Sequence, residues 1–429
     1  MDKMDVVIVG AGLAGLSCAY ILADHGLQVI VVERGDFAGS KNVTGGRLYL
    51  KPIKDLAGDM LEGAPFERKV VRERWSLLGA SNSLSIDHTS DKFRNDGHSY
   101  TVLRARLDRW LSDRIMTKGV FVIPKYRVDD LLWENGSVAG IKAGIEEIPA
   151  HVVVACDGVL SFMAQKAGLK PALSPKACAV GMKEVLALPE EKINDRFNVN
   201  TGEGTAHLFL GDVTKGMFGG GFLYTNKDTI SLGIVVGINA MMDRKPPIDA
   251  PALLDTFKER YEMRTILDGA KIMEYSAHVI PEAGYAGVGK LCGNGILVAG
   301  DAAGFALNMG ITVRGMEFAV ASGICAAEAI IKAKEAGSYT ESTLSSYVER
   351  LKETFVLKDL EATKNMPGYL ENESLFSYYP QTFPDLLEKL MWFDENPKER
   401  LGKTVWDGLK TSGMLSMKRL LELYRVKNI

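Results

Sequence analysis

The stretch VVIVGAGLAGLSCAYILADHGLQVIVVER, residues 6–34, restricts the possible folds more than any other part of the chain. Residues 6–9 are a short β-branched run suited to a buried parallel strand. Gly10, Gly12 and Gly15 follow in the spacing GxGxxG. The first permits a tight turn, the second lets backbone approach a pyrophosphate with no Cβ in the way, and the third lets the next helix lie against the strand. Residues 16–25 read as that helix, ending near Gly26. Its N-terminus offers free N–H groups and a partial positive charge to phosphate. Residues 28–32 read as a second strand ending in Glu33, whose carboxylate is placed to accept hydrogen bonds from a ribose. Strand, turn, helix, strand and acid in one register predict a dinucleotide-binding unit, but this spacing does not separate NAD from FAD.

The remaining 429-residue composition narrows the class. With 46% apolar and 24% charged residues the chain is globular, and its length suggests two or three domains. A net charge of -3 gives no reason to expect nucleic acid. The five cysteines (Cys18, Cys156, Cys178, Cys292, Cys325) are scattered, with no CxxC and no Cys/His cluster, so no metal site is expected. Such a set fits a reducing compartment. The apolar start is short, Gly-rich and flanked by Asp5 and Asp24, unlike a signal peptide. No apolar run reaches the roughly 18 residues of a membrane span, so the chain is expected to be soluble or to rest on a membrane surface.

Three further blocks select the nucleotide. HVVVACDGVLS (151–161) is a strand ending at Asp157-Gly158. GILVAGDAAGFALNMGITVRGMEFAVASG (295–323) is a strand ending at Gly300-Asp301, with a long helix expected from about Ile311. VLRARLDRWL (102–111) is an amphipathic helix headed by Arg104. In this order the blocks resemble the glutathione-reductase-like FAD-binding flavoproteins, the subgroup with aromatic hydroxylases and geranylgeranyl reductases. The resemblance implies a tightly held FAD. Asp301 would accept from a ribityl hydroxyl, Arg104 would face the cofactor and Asp157-Gly158 would close its back. Ala14, Arg34 and Val128 complete the candidate set at the nucleotide end. A helix starting near Gly310-Ile311-Thr312 would aim its positive end at the flavin edge that becomes negative on reduction. One departure counts against a hydroxylase: Ser161 is followed by Phe162, Met163, Ala164 and Gln165, with no arginine.

The expected fold is a Rossmann-like α/β FAD domain assembled from residues 1–53, 100–172 and 285–337. Residues 54–99 form an insertion, and 173–284 form an α+β domain built on an antiparallel sheet that would roof the flavin. Residues 338–429 form a helical C-terminal region. GMFGGGF (216–222) matches neither a Rossmann turn nor a phosphate loop, and no second GxGxxG exists for NAD(P)H.

GSKNVTGGRLY (39–49), GGFLYTNKDTISLGIVVG (220–237) and GDAAGFALNMGITVRGMEFAVASGICAAEA (300–329) narrow the family. Together they resemble the FixC branch of electron-transfer-flavoprotein:quinone oxidoreductases over nearly the whole chain. That resemblance implies an oxidoreductase taking electrons from electron-transfer flavoprotein α/β-type subunits and passing them towards a quinone. It also implies a FixABCX-like assembly, several of which bifurcate electrons from NADH. The full-length quinone oxidoreductases end in a cysteine-ligated iron–sulfur segment, whereas this chain has no cysteine after Cys325. A separate small ferredoxin-like iron–sulfur subunit would supply the cluster.

Within that reading Gly45, Gly46 and Arg47 lie close to the flavin ring, and Lys41 and Arg47 tune it as nearby positive charges. Phe218, Phe222, Tyr224, Phe305 and Met309 are candidate walls of a quinone cavity, with Tyr224 or Asn308 bonding a quinone carbonyl. PQTFPDLLEKLMWF (380–393) and MLSMKRLLELYRV (414–426) are amphipathic. Either rests on lipid headgroups or packs on the core or a partner. The expected location is cytoplasmic, on the inner face of the cytoplasmic membrane. The alternative is a stand-alone geranylgeranyl-reductase-type enzyme saturating isoprenoid lipids, which needs the same cofactor frame and a greasy cavity.

Overall fold

The protein, a computed structural model that describes residues 3–42 and 46–428, is organised on two large sheets. The first has the spatial order Cys292–Gly293, Ile296–Val298, Glu146–Ala155, Met4–Val9, Val29–Val32, Phe121–Ile123. Met4–Val9 lies parallel between Glu146–Ala155 and Val29–Val32. Phe121–Ile123 and Ile296–Val298 extend the parallel run on either side. Both faces are covered, which is why these strands are apolar without alternation: Val6, Val7, Ile8, Val152, Val153 and Val154 are all fully buried. Helix Leu13–Asp24 starts at the turn after the first strand and packs against helix Met316–Glu335. The approach is close; a Cβ on Gly323 would lie 2.1 Å from the carbonyl oxygen of Ala14.

The second sheet has nine strands. Its order is Lys271–Pro281, Cys178–Ala187, Thr229–Gly237, Gly219–Thr225, Glu203–Gly211, Lys69–Leu78, Ser99–Val102, Gly46–Tyr49, with Ser83–Thr89 also paired to Lys69–Leu78. The pairings are antiparallel except that of Glu203–Gly211 with Lys69–Leu78, which is parallel. Residues 54–99 and 173–284 therefore share one sheet. Its period-two pattern buries Ile230, Leu232, Ile234 and Val236 in a second core with Phe209 and Phe257. The guanidinium of Arg68, fully enclosed, ties the two stretches together. It donates to the carbonyls of Asn226 (2.5 Å), Glu203 (2.9 Å) and Lys227 (2.9 Å) and to Asn194 Oδ1 (2.6 Å).

The C-terminal region is helical. Helix Ser346–Glu353 packs on the first sheet's side, where the Tyr347 hydroxyl donates to the Val298 carbonyl at 2.9 Å. Helix Tyr378–Met391 packs on the second, where Gln381 Oε1 accepts from the Ala80 N–H at 2.8 Å.

One expectation is corrected. No helix starts at Ile311. Leu307–Asn308 and Val313–Arg314 form a small antiparallel hairpin, and the helix begins at Met316. The backbone is committed to the hairpin: Met309 N–H donates to the Thr312 carbonyl (2.9 Å), Gly310 takes φ +74°, and β-branched Val313 sits in the return strand.

Candidate functional site

The turn after the first strand opens onto a continuous cavity of ≈ 690 Å³ whose walls come from both sheets. Gly10 adopts φ +109°, and a Cβ there would sit 2.3 Å from the Cys156 carbonyl oxygen, so only glycine makes this turn. A Cβ on Gly15 would lie 2.1 Å from the Gly10 oxygen, which is the close helix–strand contact the motif requires. At Gly12 the space is open on the cavity side, with only an Arg104 nitrogen 3.8 Å from where a Cβ would stand. Gly12 and Ala14 therefore present the free N-terminal end of helix Leu13–Asp24 to the void.

Glu33 lines the same end. Its two oxygens accept from Ala11 N–H (2.9 Å) and Gly35 N–H (2.6 Å), which braces the turn. Arg34 and Val128 are beside it in the wall. Arg104 is held by a bidentate bond to Asp108 (2.8 and 2.7 Å) with its side chain in the cavity wall. Asp157 gives one oxygen to Met163 N–H (3.0 Å), and its other oxygen is buried without a partner. Burial pushes this carboxyl upward. Gly158, Gly300 and Asp301 complete this region. Burial raises the Asp301 carboxyl and lowers the neighbouring His278 imidazole, so burial drives both towards their neutral forms.

Further along, Lys41, Gly46, Arg47 and Gly310 line the cavity. Lys41 is exposed, whereas Arg47 is committed: it donates to Ser99 Oγ at 2.8 Å, pairs with Glu73, and its guanidinium stands 4.3 Å from the centre of the Tyr49 ring. Its charge is thus partly answered within the protein. At the far end Phe218, Phe222, Tyr224 and Asn308 form the walls, with Phe222 and Tyr224 stacked at 5.5 Å. Phe218 is met edge-on by Phe376, also at 5.5 Å, so the C-terminal region closes this end.

Besides Gly15, whose place is between helix and strand, four sequence candidates fall outside the lining. Phe305 is fully buried in the core of the first sheet, because the turn Gly300–Ala303 directs it inward. Met309 and Ile311 are exposed at the tip of the hairpin. The Thr312 hydroxyl is bound to the Tyr49 hydroxyl at 2.5 Å instead of facing the void. Gly45 lies outside the described residues. The helix end that does reach the cavity is Gly315-Met316.

The sequence reading missed His278, Glu282 and Arg314, which all line the cavity. Nothing local marks the first two; they follow from the register of strand Lys271–Pro281, whose last residues reach the wall. Gly219, Gly220 and Gly221 were the one legible signal. Side chains there would collide with Val235, Phe209 and Phe257, so the strand faces the cavity with bare backbone.

Comparison with known proteins agrees with this geometry. Residues 5–89 match the family described as FAD dependent oxidoreductase, and residues 178–280 match the family described as ETF-QO, ubiquinone-binding. The chain is 42% identical over 417 residues to the Escherichia coli K12 protein named "Probable electron transfer flavoprotein-quinone oxidoreductase YdiS", covering 97% of each. It is 38% identical to protein FixC of the same organism, again over 97% of each. A solved geranylgeranyl bacteriochlorophyll reductase-like protein from Thermoplasma acidophilum superposes with a TM-score of 0.72 over 100% of both chains at 21% identity, a likeness of fold. The open cradle at Gly12 and the unpartnered Asp157 oxygen fit a bound dinucleotide.

Proposed function

This chain belongs to the FixC family of electron-transfer-flavoprotein:quinone oxidoreductases and is a FAD-dependent oxidoreductase, and on that footing we propose that it takes electrons from an electron-transfer flavoprotein partner and passes them to a quinone. The observation that carries the reading is the continuity of the cavity, which joins a phosphate-type turn at Gly10 and Gly12 to an aromatic end at Phe218, Phe222 and Tyr224.

FAD supplies a redox centre that accepts electrons from a protein donor and releases them to an acceptor in the same cavity. The chain's residues bind and orient it. Gly12 and the start of helix Leu13–Asp24 receive the pyrophosphate, with Arg34 as counter-charge and Arg104, shared with Asp108, contributing less. Glu33 accepts from the adenosine ribose, and Asp301 from a ribityl hydroxyl. Asp157 and Gly158 close the back. The start of helix Met316–Glu335 and the Lys41 ammonium put positive potential at the ring, and Arg47, shared with Glu73, contributes less. Phe218 and Phe222 exclude water around the quinone ring. The Tyr224 phenol, whose pKa burial raises, stays protonated and donates to a quinone oxygen.

The working unit is a FixABCX-like assembly with a small ferredoxin-like iron–sulfur subunit. The five cysteines are free thiols. Contact with the inner face of the cytoplasmic membrane is peripheral, and among the described residues no helix is long and apolar enough to cross a membrane. Within the stretch 380–393 the apolar residues are unequally covered, with Phe383 exposed. Leu386, Leu387 and Leu390 are half-covered, Leu386 by helix Leu401–Thr411, where a Cβ on Gly408 would lie 2.4 Å from it. Met391, Trp392, Phe393, Leu401 and Trp406 are exposed, with Lys389, Lys398 and Lys403 on the same segment.

Affinity isolation of the tagged chain from its native host, with flavin and iron assays on the eluate, tests the assembly. Two flavoprotein subunits and one small iron protein are expected. An FAD-loaded chain that recovers neither, and that no electron-transfer flavoprotein reduces, would exclude it.

A further inference from the structure

Immediately after strand Lys271–Pro281, Glu282 lines two voids at once. One is the large cavity. The other is a pocket of ≈ 10 Å³ beneath the C-terminal helices, bounded by Gly284, Thr363, Met366, Pro367 and Leu370. That volume is the size of one water molecule. Asn308 stands in the same partition between the two.

The amide of Asn308 is oriented by its surroundings. Gly310 N–H donates to its Oδ1 at 2.9 Å, so its Nδ2 is turned to Glu282 and donates to Oε2, also at 2.9 Å. With Oε2 accepting, a proton on this carboxyl resides on Oε1. Burial pushes the Glu282 pKa up to about 7, against the opposing pull of the Asn308 bond. The walls of the small pocket carry no other charged side chain. On the adjoining strand Cys178–Ala187 the titratable neighbour is the Cys178 thiol, raised first by burial and then by Glu282 itself. His278, Asp301, Arg47, Arg314 and Tyr224 line the large cavity but do not contribute to the shift at Glu282. An acid that changes state near neutrality, placed between a reaction chamber and a water-sized pocket, is built for proton transfer.

We propose that Glu282, oriented by Asn308, is the proton donor to the quinone reduced in the large cavity, and that it regains its proton from bulk solvent by way of water in the small pocket. This rests on the quinone reading above. Quinone becomes quinol by taking two electrons and two protons. Anionic reduced FAD, which carries one transferable proton, would supply both electrons and that proton, and Glu282 supplies the other. The Oε1–H bond breaks, an O–H bond forms at the quinone oxygen, and the carboxylate left behind takes a proton from bulk solvent, relayed by water in the small pocket.

The test is anaerobic rapid mixing of the FAD-loaded, chemically reduced protein with a soluble short-chain quinone between pH 5.5 and 8.5, following flavin absorbance. In the unaltered protein the rate should fall as pH rises through about 7. Glu282→Gln should be slower by roughly a hundredfold at pH 6 and should lose the step, while Glu282→Asp should recover part of the rate. Oxidation by ferricenium, which takes electrons without protons, should change less than about threefold. Infrared difference spectra between pH 5.5 and 8.5 should show a protonated-carboxyl band that Glu282→Gln lacks. A Glu282→Gln protein that keeps the pH step, or equal slowing with both oxidants, or an unchanged infrared band, overturns the proton role and leaves the quinone reading standing. Failure of the unaltered protein to react with quinone at any pH overturns the quinone reading itself, and the proton role with it.

Discussion

At the scale of single residues, two carboxyls separate cofactor retention from fold stability. Asp301 sits in the wall of the cavity with its pKa raised by burial, opposed by His278, Arg104 and Lys170. If it accepts from the ribityl chain, Asp301→Ala should weaken FAD binding about tenfold or more. Flavin-to-protein ratios after gel filtration read this directly, and a fully loaded variant would remove the assignment. Glu282 gives a prediction with a definite sign. Its carboxyl has a higher pKa folded than unfolded, so the native state is favoured below the ordinary carboxyl pKa. That contribution is lost as pH rises through about 7. Glu282→Gln should therefore melt above the unaltered protein at pH 8, by up to roughly 3 kcal/mol in unfolding free energy, and should match it at about pH 4. Thermal melts at the two pH values check this. Equal melting temperatures at pH 8 would mean the carboxyl is not held neutral by the fold.

At the scale of elements, the Arg68 knot ties together the two stretches of the second sheet. Its guanidinium makes four hydrogen bonds to groups on the far stretch, the one to the Asn226 carbonyl fully buried and the other three part-buried. Arg68→Met should destabilise the protein by about 2–4 kcal/mol, because the buried Asn226 carbonyl and three part-buried acceptors lose their partner, and denaturant titration would show it. A loss below about 1 kcal/mol would mean that water replaces the guanidinium. What the sequence disclosed about such elements depends on how local their causes are. The turn at Gly10, Gly12 and Gly15 was legible because sterics within a few residues dictate it. Helix Arg104–Met116 and the strand ends at Asp157 and Asp301 were legible by the same kind of local pattern. The start of helix Met316–Glu335 was misplaced by five residues because cross-strand pairing of Leu307–Asn308 with Val313–Arg314 outweighs the helical periodicity downstream. Phe305 was misassigned for a related reason: an aromatic near a cavity and an aromatic in a core share one composition, and only the turn before it decides. His278 and Glu282 were invisible because their place comes from strand register across some hundred residues of chain.

At the scale of the whole molecule, the two sheets and the C-terminal helices enclose one long cavity, and that enclosure shapes what the protein does with electrons. The chain offers one GxGxxG turn, so the purified protein should oxidise NADH slowly or not at all without its flavoprotein partner; rapid turnover with NADH alone would contradict a relay role. The exposed Met391, Trp392 and Phe393 make a second prediction at this scale. Replacing all three with serine should lower binding to anionic-lipid vesicles by about tenfold or more in co-sedimentation, whereas unchanged binding would move the contact elsewhere. The most direct measurement of all is spectroscopic. The FAD-loaded protein is reduced by an electron-transfer flavoprotein under anaerobic conditions and then mixed with quinone while its flavin absorbance is recorded. Bleaching by the partner followed by full recovery with quinone is the predicted result; a flavin that the partner does not reduce, or that stays bleached in the presence of quinone, would contradict it.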